Sequence, residues 1–515
     1  MKHASLFFIT VALAFADTYP RQPAVDAIHY IFRLSLTDAN DEIAGEATAD
    51  IRFLRDGVAE FTLDLAQTMQ VSAVTGSARF EHRGDQLLVT LLTPSKAGER
   101  RLFEIRYRGA PAKGLFFSPN SHGDRGIFSV NWPDLAHQWL PIIDHPSDKA
   151  TSEFIVTAPA KYQVVANGLL NEERELGNGM RLTHWKQSVP ISSWLNAIGV
   201  AQFSARYIGT VAGIPLSTWV PYQEREAGIA TFDTAARQAM EFLTQYIGAF
   251  PYEKLANVWA SAPGFGGGTE HASVIFYGCC RSSGNVVWHE IAHQWFGDSI
   301  TEKDWDDVWL SEGFATYFTL LTSEHVQGRD AFVAGLKSSR ERIFQLEKAN
   351  PTFTVVHNNL ADMKNVLNRI IYEKGGWTLH MLRVRIGSDK FNEGIRNYYR
   401  QYRDRNASTD DFRRVMEEAS GQDLGWFFQQ WLHRTPSPAI EGKWKYNTGT
   451  KKLEIDLVQT QTGEAYRLPL EVAGARIEMT AKQQHFEIAM DHAPADVTLD
   501  PNTLVLMNHH LVPAP

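Results

Sequence analysis

Apolar residues change their spacing twice along this chain, near Tyr222 and near Arg434, and each change constrains what the segment can fold into. Up to Tyr222 they alternate with polar residues in short runs such as FRLSLT, ATADIRFL, FTLDL, LLVTLL and FEIRYRG. A period of two puts one face of each run on a core and the other in water, the pattern of antiparallel strands. After Tyr222 the spacing becomes helical: Ile229, Phe232, Ala236, Met240 and Leu243 mark one face of a helix over 226–247. Further helices are predicted over 286–296, 314–325, 330–348, 366–386, 389–402 and 409–419. The breaker RTPSPAIEG then returns the pattern to short strands: KWKYN, KLEIDLVQT, RLPLEVAG, ARIEMTA, HFEIAM, DVTLD and TLVLM. The expected fold is α+β and multidomain. An antiparallel β domain covers 17–220, a mainly helical domain 221–435 and a small β-sandwich 436–515.

The remaining 1–16 read as a targeting segment. One Lys precedes an apolar run from Leu6 to Ala16, too short to span a bilayer, and Ala14-Phe15-Ala16 offers a small-x-small cleavage site. A signal peptide and export, periplasmic or secreted, are expected. No later segment reaches the roughly 18 apolar residues of a spanning helix. Lysines and arginines number 50 against 59 acids, a net charge of −9, which argues against nucleic acid as the main partner. The only cysteines, Cys279 and Cys280, are adjacent, so they are read as small thiols and no disulfide scaffold is expected.

Residues 288–298, WHEIAHQWFGD, carry the chemistry. His289 and His293 stand four apart, so on a helix both imidazoles leave one face, one turn apart. That spacing suits two nitrogen ligands of one Zn²⁺ at ~2.0–2.1 Å. Glu290 is rotated about 100° around such a helix and reaches a metal-bound water without taking a coordination position. Downstream, DWDDVWLSEGFATYF supplies Glu312, with 18 residues between it and His293. Ser311 is the expected N-cap of a second helix, which brings Glu312 to the histidines in its first turn. Two imidazoles and a carboxylate with an open fourth position form the ligand set of hydrolytic zinc sites, and one Zn²⁺ per chain is expected.

HEIAHQWFGD followed by WLSEGFATYF resembles the gluzincin aminopeptidases, the aminopeptidase N and leukotriene hydrolase family. The likeness extends to QWLPIIDHPSDKA at 138–150, similar to a signature of that family's saddle-like N-terminal β domain. RIIYEKGGW at 369–377 is similar to the segment that supplies its catalytic tyrosine, which implies Tyr372 as donor to the oxyanion. The order of β domain, thermolysin-like domain and small β-sandwich also fits a short form without the family's C-terminal helical domain. GFGGGTEHASVIFY falls where the family carries its exopeptidase motif, Gly-Ala-Met-Glu-Asn. The counterparts are Gly267, Gly268, Thr269, Glu270 and His271, of which the first glycine and the glutamate match. The resemblance implies an edge segment whose backbone pairs with the peptide, and a glutamate, Glu270, that holds the free α-ammonium. Thr269 is expected to shorten the first side-chain pocket and make it more polar. His271 is expected to make any donor role there pH-dependent. The family draws a second amine anchor from its β domain; Asn131 and Trp132 fall near the expected position, where no equivalent carboxylate stands, so the amine is held less strongly or by Asp134.

The resulting expectation is a zinc aminopeptidase acting on peptides with a free N-terminus. Glu290 is the general base, Tyr372 the oxyanion donor and Glu270 the amine anchor. A zinc endopeptidase or a di- or tripeptide-releasing enzyme is the alternative on the same site. A non-catalytic peptide-binding or scaffolding module is the alternative of another class. Phosphate binding by the glycines is disfavoured because an acid follows them and no GK[ST] ending does. His509-His510 is read as a solvated tail, and Trp288, Trp295, Trp305 and Trp309 as packing around the metal helices.

Overall fold

The computed structural model describes residues 17–260, 267–278, 283–357 and 360–514. The leader read over 1–16 and the adjacent Cys279 and Cys280 lie outside the described residues. The alternating N-terminal segments build a seven-stranded sheet. Its order is Leu169–Gly177, Met180–Ser192, Lys149–Pro159, Val25–Ser35, Ile43–Phe53, Arg100–Gly109 and Gln70–Thr75. Val25–Ser35 and Lys149–Pro159 run parallel, and the other neighbours are antiparallel. Register stacks inward apolar residues across the sheet, as in Phe154 beside Phe32, Phe32 beside Ala47, and Ala47 beside Ile105. Two smaller sheets close this core around the buried Trp139.

The next sheet serves the other half of the molecule. Its order is Phe203–Val211, Ile214–Pro221, Leu255–Trp259, Val274–Tyr277 and Gly268–Thr269. It therefore begins at Phe203, upstream of the change to helical spacing, because Ile214–Pro221 pairs with Leu255–Trp259. Both faces of its central strands are buried. Val258 and Phe276 join the core of the β domain, while Leu255, Ile275 and Tyr277 join that of the helices. Double burial is why these strands read as continuous apolar runs instead of alternating ones.

Eight helices follow among the described residues: α1 (Arg225–Tyr246), α2 (Gly284–His293), α3 (Trp309–Gln327), α4 (Arg329–Ala349), α5 (Arg369–Ile386), α6 (Ser388–Tyr402), α7 (Thr409–Ser420) and α8 (Gly425–Leu432). Helix α8 was not anticipated, since GWFFQQWL is too apolar to show a polar face. The C-terminal strands form a four-stranded sheet and the hairpin Leu468–Val472 with Ala475–Met479. They share the helices' core. TLVLM is buried but not a strand. The last strand is instead Asn508–Pro513, which contains His509 and His510, and His509 Nε2 contacts the Leu499 carbonyl at 2.7 Å. The pair is thus part of a sheet and not a solvated tail.

The segment QWLPIIDHPSDKA bolts the two halves together. Asp144 accepts from the His137 backbone N–H at 2.9 Å and pairs with His137 Nδ1 at 2.7 Å. His145 meets Asp17 at 2.9 Å, and the Pro146 carbonyl accepts from Asn406 at 2.7 Å. Lys149 Nζ donates to the backbone carbonyls of Asp298 and Ser299 at 2.9 and 2.8 Å, and burial pushes its ammonium down to about 7.

Burial opposes the charged form of His137, but the Asp144 bond and the charges of Asp144, Asp64 and Asp134 outweigh it and raise the imidazole from 6.5 to about 9. A raised imidazole contributes its full stabilisation below about pH 6.5 and loses it as pH climbs through 9. Denaturant unfolding of the native chain and His137→Gln should differ by on the order of 2 kcal/mol at pH 6 and converge by pH 10. A difference that grows with pH would contradict this assignment.

Candidate metal and peptide site

Helix α2 carries His289 and His293 on one face, and α3 crosses it with Glu312 in its first turn. His293 Nε2 lies 3.1 Å from His289 Nε2, and both lie close to Glu312 Oε2, at 3.2 and 3.3 Å. Three donors around one tetrahedral Zn²⁺ at ~2.0–2.1 Å sit about 3.3 Å apart. The donor set therefore matches one face of a zinc coordination sphere.

The supporting contacts fix the ligands' orientation. His293 Nδ1 faces the Phe296 carbonyl at 3.2 Å and Ser311 Oγ at 3.0 Å, which leaves the Nε2 lone pair for a metal. Ser311 is not an N-cap as expected. Helix α3 starts earlier, at Trp309, because the turn Trp305–Asp307 feeds directly into it. Gly297 holds φ +115°, and a Cβ there would meet Ser311 Oγ at 2.2 Å, so glycine is required beside the ligand. The Tyr372 hydroxyl donates to Glu312 Oε1 at 2.7 Å, and burial followed by Glu312's charge keeps the phenol un-ionised.

Negative charge accumulates here with little exposure to solvent. Glu270, Glu290 and Glu312 are each at most 6% exposed. Glu270, Glu290 and His293 each place a ligand-capable atom within 4.8 Å of the others. Burial first, and then Glu270, raises the Glu290 carboxyl well above the ordinary range; burial likewise raises Glu270. At His293 burial opposes protonation, yet Glu270 and Glu312 overcome it. A divalent cation is the charge this cluster calls for.

Gly268–Thr269 pairs antiparallel with Tyr277 and Phe276, and its other side is the outer edge of the sheet. Gly268 lies against the catalytic-base candidate: a Cβ would meet Glu290 Cγ at 2.3 Å and Oε1 at 2.6 Å. Gly267, Gly268 and Glu270 line the same cavity as the three ligands, Glu290 and Tyr372, with a volume of about 510 Å³. Thr269 and His271 do not line it. His271 is fully buried against Phe276, and burial pushes it down to about 3, so it stays neutral and carries no pH-dependent donor role. The expected second anchor is also absent from this cavity. Asn131 bonds Trp139 Nε1 and the Asn196 carbonyl, and Trp132 packs on Trp194 and Trp305. Asp134 lines a different cavity beside Asp144 and His137.

Sequence reasoning missed Gln294. Its amide donates to the Glu270 carbonyl at 2.9 Å and to Asp298 at 2.8 Å, and its oxygen accepts from the Ser273 N–H at 2.8 Å. One side chain thus clamps the glutamate loop to the metal helix. Its place directly after His293 was the available signal. The described Trp288, Trp295, Trp305 and Trp309 are all buried in packing around α2 and α3.

Removing the Ser311 hydroxyl should loosen His293. Ser311→Ala is expected to weaken zinc binding about 10- to 100-fold in chelator competition, with the fold retained by circular dichroism. Unchanged affinity would show that the Phe296 carbonyl alone holds the ring.

Comparisons with known proteins agree with this geometry. The model of the Peptidase M1 N-terminal domain matches residues 26–195, and that of the Peptidase family M1 domain matches residues 278–431. Glutamyl aminopeptidase of Rattus norvegicus is 28% identical over 345 residues, which is 63% of this chain and 36% of that protein. The Homo sapiens glutamyl aminopeptidase is 28% identical over 408 residues, 73% of this chain and 42% of that one. The chain thus spans less than half the length of these relatives. A crystal structure of an M1 zinc metallopeptidase from Deinococcus radiodurans superposes with TM-score 0.70 at 24% identity, covering 80% of this chain and 95% of that one. A mutant of that protein bound to the substrate Tyr-Ser-Ala gives 0.68 at 25% identity, covering 81% and 96%. With both domain models matched in order and the metal triad in place, the chain belongs to peptidase family M1.

Proposed function

We propose that this protein is a zinc aminopeptidase that removes residues from the free N-terminus of peptides. The observation that carries the reading is Glu270: a buried carboxylate at the end of a free strand edge, in the cavity of the metal ligands and Glu290. An α-ammonium has a pKa of ~7.7–8.0 and is mostly cationic at neutral pH, so it is the natural partner for that carboxylate. Its arrival also relieves the repulsion between Glu270 and Glu290.

His289, His293 and Glu312 would hold the zinc, which when bound acts as a Lewis acid on the scissile carbonyl and on the attacking water. The bare edge at Gly267 and Gly268 admits a peptide backbone as an added strand. Glu290 takes a proton from the attacking water and returns it to the leaving amine. The neutral Tyr372 phenol turns from Glu312 to the oxyanion as charge develops there. With the amine fixed on Glu270, the first peptide bond is the one presented, which favours single-residue release over internal cleavage.

Fluorogenic aminoacyl substrates should be cleaved far faster than their N-acetylated versions, and equal rates would refute an aminopeptidase. Glu290→Gln should keep its zinc and lose turnover about 10²- to 10⁴-fold. Glu270→Ala should chiefly reduce use of free-amine substrates; an unaltered preference would place the anchor elsewhere.

A further inference from the structure

We infer that Arg369 is a specificity-determining residue that binds a carboxylate of the peptide substrate, an assignment that rests on the aminopeptidase reading. Arg369 is the first residue of α5, exposed, and lines the metal cavity three residues before Tyr372.

Two observations set it apart. The first is its lack of a partner. The other guanidinium lining the cavity, Arg342, is engaged through all three nitrogens: it donates to both Glu373 oxygens at 2.6 and 3.1 Å and to Ser338 Oγ at 2.7 Å. Arg369 makes no hydrogen bond or ion pair among the described residues. It faces a cavity whose carboxylates, Glu270, Glu290, Glu312 and Glu373, are committed to the metal site, the amine or Arg342.

The second is its position on the helix. A cation in the first turn opposes the helix dipole, whereas Arg383 and Arg385 at the far end of α5 obey it. The arginines that open α1 and α4, Arg225 and Arg329, lie outside the metal cavity, whereas Arg369 lines it. The planar fork of a guanidinium matches a carboxylate with two parallel hydrogen bonds.

A peptide bound by its amine at Glu270 offers two such groups: an acidic side chain, or the C-terminal carboxylate of a short chain. Three residues extend about 10 Å, within reach of a cavity of this size. In a longer peptide the terminal carboxylate lies beyond the cavity, so that source would make the enzyme prefer short substrates.

The test compares Ala-Ala-Ala as free acid and as C-terminal amide, and Asp-Ala-Ala amide with Asn-Ala-Ala amide, on zinc-loaded native protein and on Arg369→Ala and Arg369→Gln. Hydrolysis gives kcat/KM, and calorimetry on the Glu290→Gln background gives Kd without turnover. The native chain should favour the carboxylate-bearing member of one pair by about five- to tenfold, and both Arg369 variants should bring that ratio near one. The pair that responds identifies the source. Ratios near one in the native protein, or ratios that survive both substitutions, overturn the assignment. Absence of hydrolysis of every peptide would instead count against the peptidase reading, while the calorimetric ratios still judge Arg369.

Discussion

Everything in this molecule is arranged around one electrostatic demand, the burial of three carboxylates beside two imidazoles. Taken singly, Glu270, Glu290 and Glu312 each carry a desolvation penalty of several kcal/mol as ions. Their separate structural supports show how the fold tolerates this. Glu312 accepts from Tyr372, the Glu270 backbone is clamped by Gln294, and Glu290 is pressed against a glycine that leaves no room for anything larger. A divalent ion and, on the proposed function, a substrate ammonium are the two positive charges that complete the balance.

The chain's periodicities reveal its architecture because most segments present a single interface to a single core. The strands of the β domain alternate, and α1, α6 and α7 carry clear apolar faces. Legibility fails where a segment is buried on every side. Helix α8 has almost no polar face, and Leu255–Trp259 and Val274–Tyr277 sit between two cores. The strands Phe203–Pro221 read like their neighbours upstream, and only pairing shows that they serve the next sheet.

At the site, spacing alone was enough to bring His289, His293 and Glu312 together, since each histidine leaves one face of α2 and Glu312 sits in the first turn of α3. It was not enough for residues that act through contacts distant in sequence. The role of Ser311 depends on where α3 begins, and that of Gln294 on the loop it faces. His271 lies next to Glu270 in the sequence but packs on Phe276, away from the metal cavity. The family likeness pointed to Glu270 and Tyr372; burial and partners explain why those side chains suit the roles proposed for them.

Lys149 joins the two halves at a telling place. Its ammonium is held by the carbonyls of Asp298 and Ser299, a few residues past the ligand His293, and Gln294 reaches Asp298 from the metal helix. Docking of the β domain and the anchoring of the metal helix's C-terminal end therefore meet at Asp298. The N-terminal half thereby fixes the path of the chain where it leaves the metal helix, and is part of the scaffold behind His293 as well as a wall of the molecule.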